Sequence, residues 1–298
     1  MARSVATGTE LLRRAGIQAR LAPSVHNTQP WRFVLTDDAL EIHSDPRRQL
    51  LVLDPTGRQL APSCGCAVFN ARVAVAARGH LAWVERLPDP DRPHLLARIT
   101  VAPEPAAEQS IAALDEAIIR RQTNRRRFAE EALSPELVAR LTEAVEQEES
   151  MLFEVRKTDH RLAVARLSQQ AERIQNADPA YRAELRTWTT EDPMRPDGVP
   201  AVAVPHVTGA SRDEVPIRDF DTRGAGALPS ETRSRLDQAL FVLGTPGDDG
   251  LSWIRAGEAL ERLWLEATEQ GYVASLFTQV IEVPHLRDRL RSELELGM

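Results

Sequence analysis

Lysine is almost missing from this chain: Lys157 is the one lysine in 298 residues, and every other basic side chain is an arginine. Any cationic contact to a phosphate or a ring oxygen therefore falls to a planar guanidinium fork. The bias itself points to a GC-rich genome rather than to a function. Cysteine is limited to Cys64 and Cys66. A Cys-x-Cys pair is too tight for an easy disulfide and has no partners elsewhere, so neither a disulfide framework nor a zinc site is supported and no metal is expected. The two cysteines read as small apolar residues on a helix. No apolar run approaches the length of a membrane-spanning helix, and the N-terminus has no long apolar leader, so the expectation is a soluble, cytoplasmic protein with no membrane partner. The net charge of −7 argues against nucleic acid held by general electrostatics. H-E-x-x-H, Walker and G-x-S-x-G motifs are absent. Thr222-Arg223-Gly224-Ala225-Gly226 contains a G-x-G, but no strand–turn–helix pattern frames it, so it is no dinucleotide fingerprint. His206 and His285 are isolated and read as surface residues.

An apolar share of 42% over 298 residues is ordinary for one large or two modest globular domains. Thr9–Leu21 reads as an amphipathic helix ending before Pro23, and Trp31–Thr36 and Leu40–His43 as a hairpin. Ser63–Gly79 reads as a largely buried helix with Gly79 at its C-terminal cap. Strands are expected at Leu81–Arg86 and Leu95–Val101, and a linker at Pro103–Ala107. Ile111–Arg121 reads as a helix. Ser134, Pro135 and Glu136 form an N-cap, N1 proline and acidic first turn opening a helix to about Glu148. Leu152–Lys157 reads as a strand, Asp159–Asn176 as a helix burying Leu162, Val164, Leu167 and Ile174, and Pro179–Trp188 as its continuation. Residues 189–230 hold six prolines and little periodicity, which suits a functional lid or disorder. Leu240–Leu243 is a short strand, Ser252–Gly271 a helix with Gly257 inside it, and His285–Leu294 the last helix.

Two stretches carry specific chemistry. Ala22-Pro23-Ser24-Val25-His26-Asn27-Thr28-Gln29-Pro30-Trp31-Arg32-Phe33 sets neutral donors and acceptors, Ser24, Asn27 and Gln29, on a backbone restrained by two prolines. Such an array suits a flat, uncharged heterocycle better than a metal or a scissile peptide. A helix-to-strand turn with an aromatic plug would have the same outline. About a hundred residues on, Arg120-Arg121-Gln122-Thr123-Asn124-Arg125-Arg126-Arg127-Phe128 concentrates cations where a solvated helix end would also place them.

The first stretch resembles the P-S-x-x-N-x-Q-P-W signature of the nitroreductase-fold flavoproteins, and the second their R-x-[ST]-x-[RK] motif. The T-N-R-R form, with the motifs in this order, is similar to the Acg-type branch known from actinobacteria. The resemblance implies an α+β nitroreductase fold in which two fused half-units, 1–105 and 106–298, imitate the family's homodimer within one chain. That makes the expected assembly a monomeric pseudo-dimer, with a lid-like insertion at about 189–230. A weak internal echo, a long helix ending near a glycine at 63–79 and again at 252–271, fits this.

It implies further that flavin mononucleotide (FMN) binds, with Arg121 and Thr123 on its phosphate and Arg125 near N1 and the C2 oxygen. A cation there stabilises the charge gained on reduction. Gln122 and Asn124 offer amide contacts along the ribityl chain, and Pro23, Ser24, Asn27 and Gln29 line the same flavin from the other half. Trp31 reads as structural; His26 reads equally as a turn residue or a substrate contact. The second potential site lacks its parts. Residues 13–20 offer no matching hydroxyl and Thr189–Met194 place two carboxylates where neutral groups belong, so one flavin per chain is expected. The helix at 252–271 resembles the family's W-x-x-A-G-x-x-[LM]-x-x-x-x-L-x-A helix, with Gly257 present for close packing. Family members continue into an arginine-bearing tail that this sequence lacks, so either Arg287, Arg289 or Arg291 supplies that phosphate contact or the contact is weakened.

Two functions are then open. One is an NAD(P)H-dependent nitroreductase-like oxidoreductase acting on nitroaromatic or quinone-like small-molecule acceptors, with no catalytic side chain because the flavin carries the chemistry. The other is an FMN-binding, sequestering protein with its flavin covered by the lid.

Overall fold

Helix α2 (Leu60–Ala76) is apolar on every side, and such a helix has to be buried on every side. In the computed structural model, which describes residues 8–103, 108–126, 128–129, 131–192, 194–204, 218–220, 222 and 238–296, it is buried along nearly its whole length. It starts three residues earlier than its sequence pattern suggests. Pro62 is tolerated in the first turn, where backbone N–H groups have no intrahelical partner, and the Asp54 carboxylate accepts hydrogen bonds from the N–H groups of Gln59 and Leu60 (2.9 and 2.8 Å). Gly79 lies beyond the cap in the left-handed region (φ +83°), where it reverses the chain.

One face of α2 meets α1 (Gly8–Ala19) and an antiparallel sheet of β1 (Trp31–Leu35), β2 (Ala39–Ser44), β3 (Ala82–Arg86) and β4 (Leu95–Val101), in the order β1-β2-β4-β3. Leu12, Ala15, Leu40, Ile42, Val68, Ala97 and Ile99 form this core. The chain then runs through α3 (Gln109–Ala112), α4 (Asp115–Arg120), α5 (Pro135–Glu146), β5 (Met151–Glu154), α6 (Thr158–Ala177), α7 (Pro179–Thr187), β6 (Thr189–Thr190), β7 (Val199–Pro200), β8 (Phe241–Gly244), α8 (Gly250–Glu269), α9 (Gln279–Glu282) and α10 (Pro284–Glu293). β5 pairs with β8 antiparallel and β6 with β7 parallel. Helices and mainly antiparallel sheet together make an α+β arrangement.

α8 crosses α2 at two glycines. A Cβ added to Gly257 would stand 2.0 Å from the Pro62 carbonyl oxygen, and one on Gly65 2.1 Å from that of Ile254. The two backbones are thus in contact, and only glycine fits at the crossing. Phe69 and Val73 of α2 join Ile111, Leu114, Ile118 and Leu265 in one cluster, so this part of the core takes side chains from both α2 and the later helices.

Several elements differ from their sequence patterns. The helix expected over 111–121 is two short helices broken at Ala113–Leu114, both turning toward the same buried cluster. The strand expected over 152–157 stops at Glu154, where its partner β8 begins. On α6, Val164 and Leu167 are buried but Leu162 and Ile174 are 52% and 41% exposed, because α9 and α10 cover a narrower stripe than the pattern suggested. Most of the proline-rich 205–230 stretch, with the glycines of 224–226 and His206, lies outside the described residues. No helix among the described residues is long and apolar enough to cross a membrane.

Candidate functional site

The first motif is a short 3-10 turn, Val25–Asn27, between α1 and β1. Its backbone is strained: His26, Asn27 and Gln29 adopt φ values of 49°, 54° and 50°, a region L-residues enter at a cost. Local bonds hold it there. The Gln29 N–H donates to Ser24 Oγ (2.9 Å), the Val25 N–H to Ser63 Oγ on α2 (3.1 Å), and Arg48 Nη1 to the Thr28 carbonyl (2.8 Å). Trp31 is buried beneath the turn, as its plug role requires.

The outward amides of this motif meet residues 196–198. Asn27 Nδ2 donates to the Gly198 carbonyl (2.8 Å), Gln29 Nε2 to that of Pro196 (2.6 Å), and the Gly198 N–H to the Asn27 carbonyl (3.0 Å). Arg48 adds an ion pair to Asp197 (2.6 Å). The bend at 196–198, within the proline-rich segment, therefore docks on the residues singled out for ligand contact.

The second motif starts where α4 ends, with Arg121 as its C-terminal cap. The Arg121 guanidinium stands 4.9 Å over the Trp264 ring, with Nε 3.7 Å from Glu261 and Nη2 3.4 Å from the Leu21 carbonyl. Leu21 immediately precedes the first motif. Thr123 and Asn124 are tied to the chain after α8: Thr123 bridges with Ala274, the Asn124 N–H donates to the Ala274 carbonyl (2.9 Å), and the Ser275 hydroxyl to that of Asn124. The Asn124 side chain is used within its own turn, bonded to the Arg126 backbone, and Gln122 is exposed.

Phe220 joins the two motifs. Its ring meets the His26 imidazole edge-on at 5.2 Å, and the Arg125 guanidinium lies over it at 5.5 Å. Leu50, Leu53, Tyr181, Leu185 and Val199 pack behind it. Burial, reinforced by Arg218 and Arg125, holds the His26 pKa well below the usual imidazole range, so the ring is neutral. Both its nitrogens are buried without a hydrogen-bond partner among the described residues. Burial also draws the Arg125 pKa down, and no carboxylate among the described residues pairs with it.

No protein-family model matches the chain. A protein of Mycobacterium tuberculosis strain H37Rv named "Putative NAD(P)H nitroreductase" is 37% identical over 276 residues, covering 92% of this chain and 77% of its own. The chain belongs to the NAD(P)H nitroreductase family. The "Putative NAD(P)H nitroreductase acg" of the same organism is 31% identical over 282 residues (94% and 83%), and an uncharacterized protein from it is 31% identical over 286 (94% and 82%). All come from an actinobacterium, in line with the Acg-type resemblance of the two motifs.

Within this nitroreductase chain, sequence reasoning assigned no role to Glu261, Trp264 or Arg218, and placed Phe220 only within the candidate lid. Glu261 sits among Glu258, Arg262 and Glu266, a run that reads as a solvated helix face. Phe220 and Arg218 lie in a stretch without periodicity. The one available signal was Trp264, spaced on α8 to face the same side as Glu261.

Proposed function

We propose that the chain is an FMN-dependent NAD(P)H oxidoreductase of nitroreductase type that reduces nitroaromatic or quinone-like acceptors through one flavin. The observation that carries this reading is the meeting of the two motifs, at Arg121–Leu21 and again at His26–Phe220–Arg125. The donor set fits such a group. A half-buried Arg125 guanidinium with no carboxylate, and a neutral His26 with unpartnered nitrogens, both among the described residues, suit a ring edge that gains negative charge. Pro23, Ser24, Asn27 and Gln29 line one side in this reading, and Arg121 to Arg125 the other. Bound flavin supplies reversible two-electron chemistry, taking hydride from NAD(P)H and passing it on. Arg121 and Thr123 anchor the phosphate end, and Arg125 stabilises charge at the ring edge. The strained turn presents its amides without freedom to reorient, and Phe220 limits access by water. We read α2 and α8 as equivalent helices of two fused half-units, 1–105 and 106–298, which makes the chain a pseudo-dimer by itself.

A second reading, sequestration, is favoured by one observation. The Asn27 and Gln29 amides are engaged by residues 196–198, and Phe220 lies between His26 and Arg125. A protein that keeps this segment in place over its flavin has little reductase activity.

The visible spectrum of the purified protein, followed by NADPH without air, tests both. Yellow protein with about one flavin per chain that bleaches within seconds supports the reductase. Yellow protein that stays yellow supports sequestration. Colourless protein that cannot be reconstituted with FMN overturns both.

A further inference from the structure

The charges on α8 are paired in a way that leaves one carboxylate apart. Glu258 is held by Arg72 and Arg86, Arg262 by Glu148, Glu266 by Arg140, and Glu269 by Arg120. Glu261 is as fully buried as Glu258, yet neither of its oxygens has a full hydrogen-bond partner among the described residues. From α2 it is faced by the Cys66 thiol and by the Asn70 side-chain amide, a weak donor that pulls its pKa down and whose Nδ2 also points to the Gln18 carbonyl (3.4 Å). Asp115, at the start of α4, is occupied by Arg14 and Gln18, and β8 carries no charge. The one cation at hand among the described residues is Arg121, 3.7 Å away.

This is a loose pair in a dry place. A buried carboxylate stays ionised only while a cation or donors compensate it. A phosphate dianion competes for the same guanidinium with two fork-shaped hydrogen bonds that Glu261 does not make. If Arg121 turns to a phosphate, Glu261 keeps the weak Asn70 contact but no cation among the described residues, and takes up a proton.

We propose that Glu261 is the positioning residue of Arg121, an internal counter-ion that parks the guanidinium over Trp264 and takes up a proton when a phosphate claims it. This rests on the reading in which Arg121 grips the flavin phosphate. Burial, against the opposing pull of Arg121, already pushes the Glu261 carboxyl up to about 7. Loss of Arg121 raises it further, because the compensating charge departs. Phosphate binding is therefore linked to proton uptake above neutral pH, where the free protein carries Glu261 ionised, and affinity falls as pH rises.

The test is FMN binding to flavin-stripped full-length protein, followed by fluorescence quenching from pH 7.5 to 9, a range in which the phosphate is already a dianion (its second pKa is about 6). The wild-type Kd is expected to weaken about tenfold per pH unit, the slope for one linked proton. E261Q is expected to change less than twofold. Calorimetry of the wild type in buffers of different ionisation heat gives the proton count directly, independent of how any variant folds. Uptake near one proton for FMN, and near zero for riboflavin, is expected. Equal pH slopes in wild type and E261Q, no uptake, or equal uptake with riboflavin overturns the inference while FMN binding stands. Failure of FMN to bind at all overturns the flavin reading and this inference with it.

Discussion

Arg121 is surrounded by Trp264, Glu261 and the Leu21 carbonyl, and each constrains it differently. The indole fixes the plane of the guanidinium, the carboxylate supplies charge without good hydrogen bonds, and the carbonyl ties it to the turn that carries Ser24, Asn27 and Gln29. An arginine so held has donors to spare for an incoming anion. Arg121→Ala is expected to reduce co-purifying flavin at least tenfold, read from the ratio of visible to ultraviolet absorbance, because it removes a bidentate charge-assisted contact. Flavin at the wild-type level would show that the phosphate lies elsewhere. At this scale much was legible. Ser24, Asn27, Gln29, Arg121 and Arg125 stand out in the sequence because short polar groups and arginines are concentrated there in a fixed pattern. Their strain was not legible, since positive φ at His26, Asn27 and Gln29 comes from bonds to Ser63 and Arg48, residues supplied by other parts of the fold.

Helices α2 and α8 define the element scale. Their crossing depends on Gly65 and Gly257, each facing a backbone carbonyl of the other helix at a distance no Cβ tolerates. Gly257→Ala forces the backbones apart or breaks the local packing, and overpacking of this kind costs about 1–3 kcal/mol. The melting temperature is expected to fall by several degrees, whereas Gly250→Ala on the same helix, whose nearest neighbour would be Leu87 Cδ1 at 3.6 Å, leaves it nearly unchanged. Equal melting temperatures for the two variants would mean that the crossing is not close-packed. The close packing expected of Gly257 is thus present, and its partner is Pro62. The segment after α7 is the other element that bears on function. Gly198, at φ +80°, lets the chain turn beneath Trp188 and places the 196 and 198 carbonyls against the first motif. Proline content marked this segment as a candidate lid, but its docking surface could not be read, because contacts between residues 167 and 171 positions apart leave no local pattern.

For the whole molecule, two buried carboxylates act in opposite directions on stability. Glu41 on β2 accepts from Arg92, with His43 and Arg98 adding further bonds, and its pKa is lowered to about 2. It contributes stability above its unfolded value near 4.5, lost as pH falls toward 2. Glu261 is raised to about 7, so the folded state binds more protons than the unfolded one between about 4.5 and 7, and stability falls as pH rises through that window. The shift corresponds to an order of 3 kcal/mol once Glu261 is ionised. E261Q cannot ionise there. It is expected to match the wild type in thermal melting at pH 4.5 to 5 and to melt higher at pH 8, by several degrees. A constant offset between the two at all pH values would show that Glu261 titrates alike in the folded and unfolded protein.

The sequence by itself determined which residues can do chemistry and most of the local elements. Amphipathic spacing, the Ser134–Pro135 cap and the two motifs are written in neighbouring residues, and neighbours are what short-range propensity and capping depend on. The family likewise follows from the sequence, through motifs and identity spread over most of the chain. Tertiary structure alone decided that the two motifs meet, that Phe220 stands between them, that Leu162 and Ile174 stay in water, and that Glu261 is buried with Arg121. Each of these depends on which distant surface covers a residue, and burial, not residue type, sets whether a charge is solvated, paired or poised to take a proton.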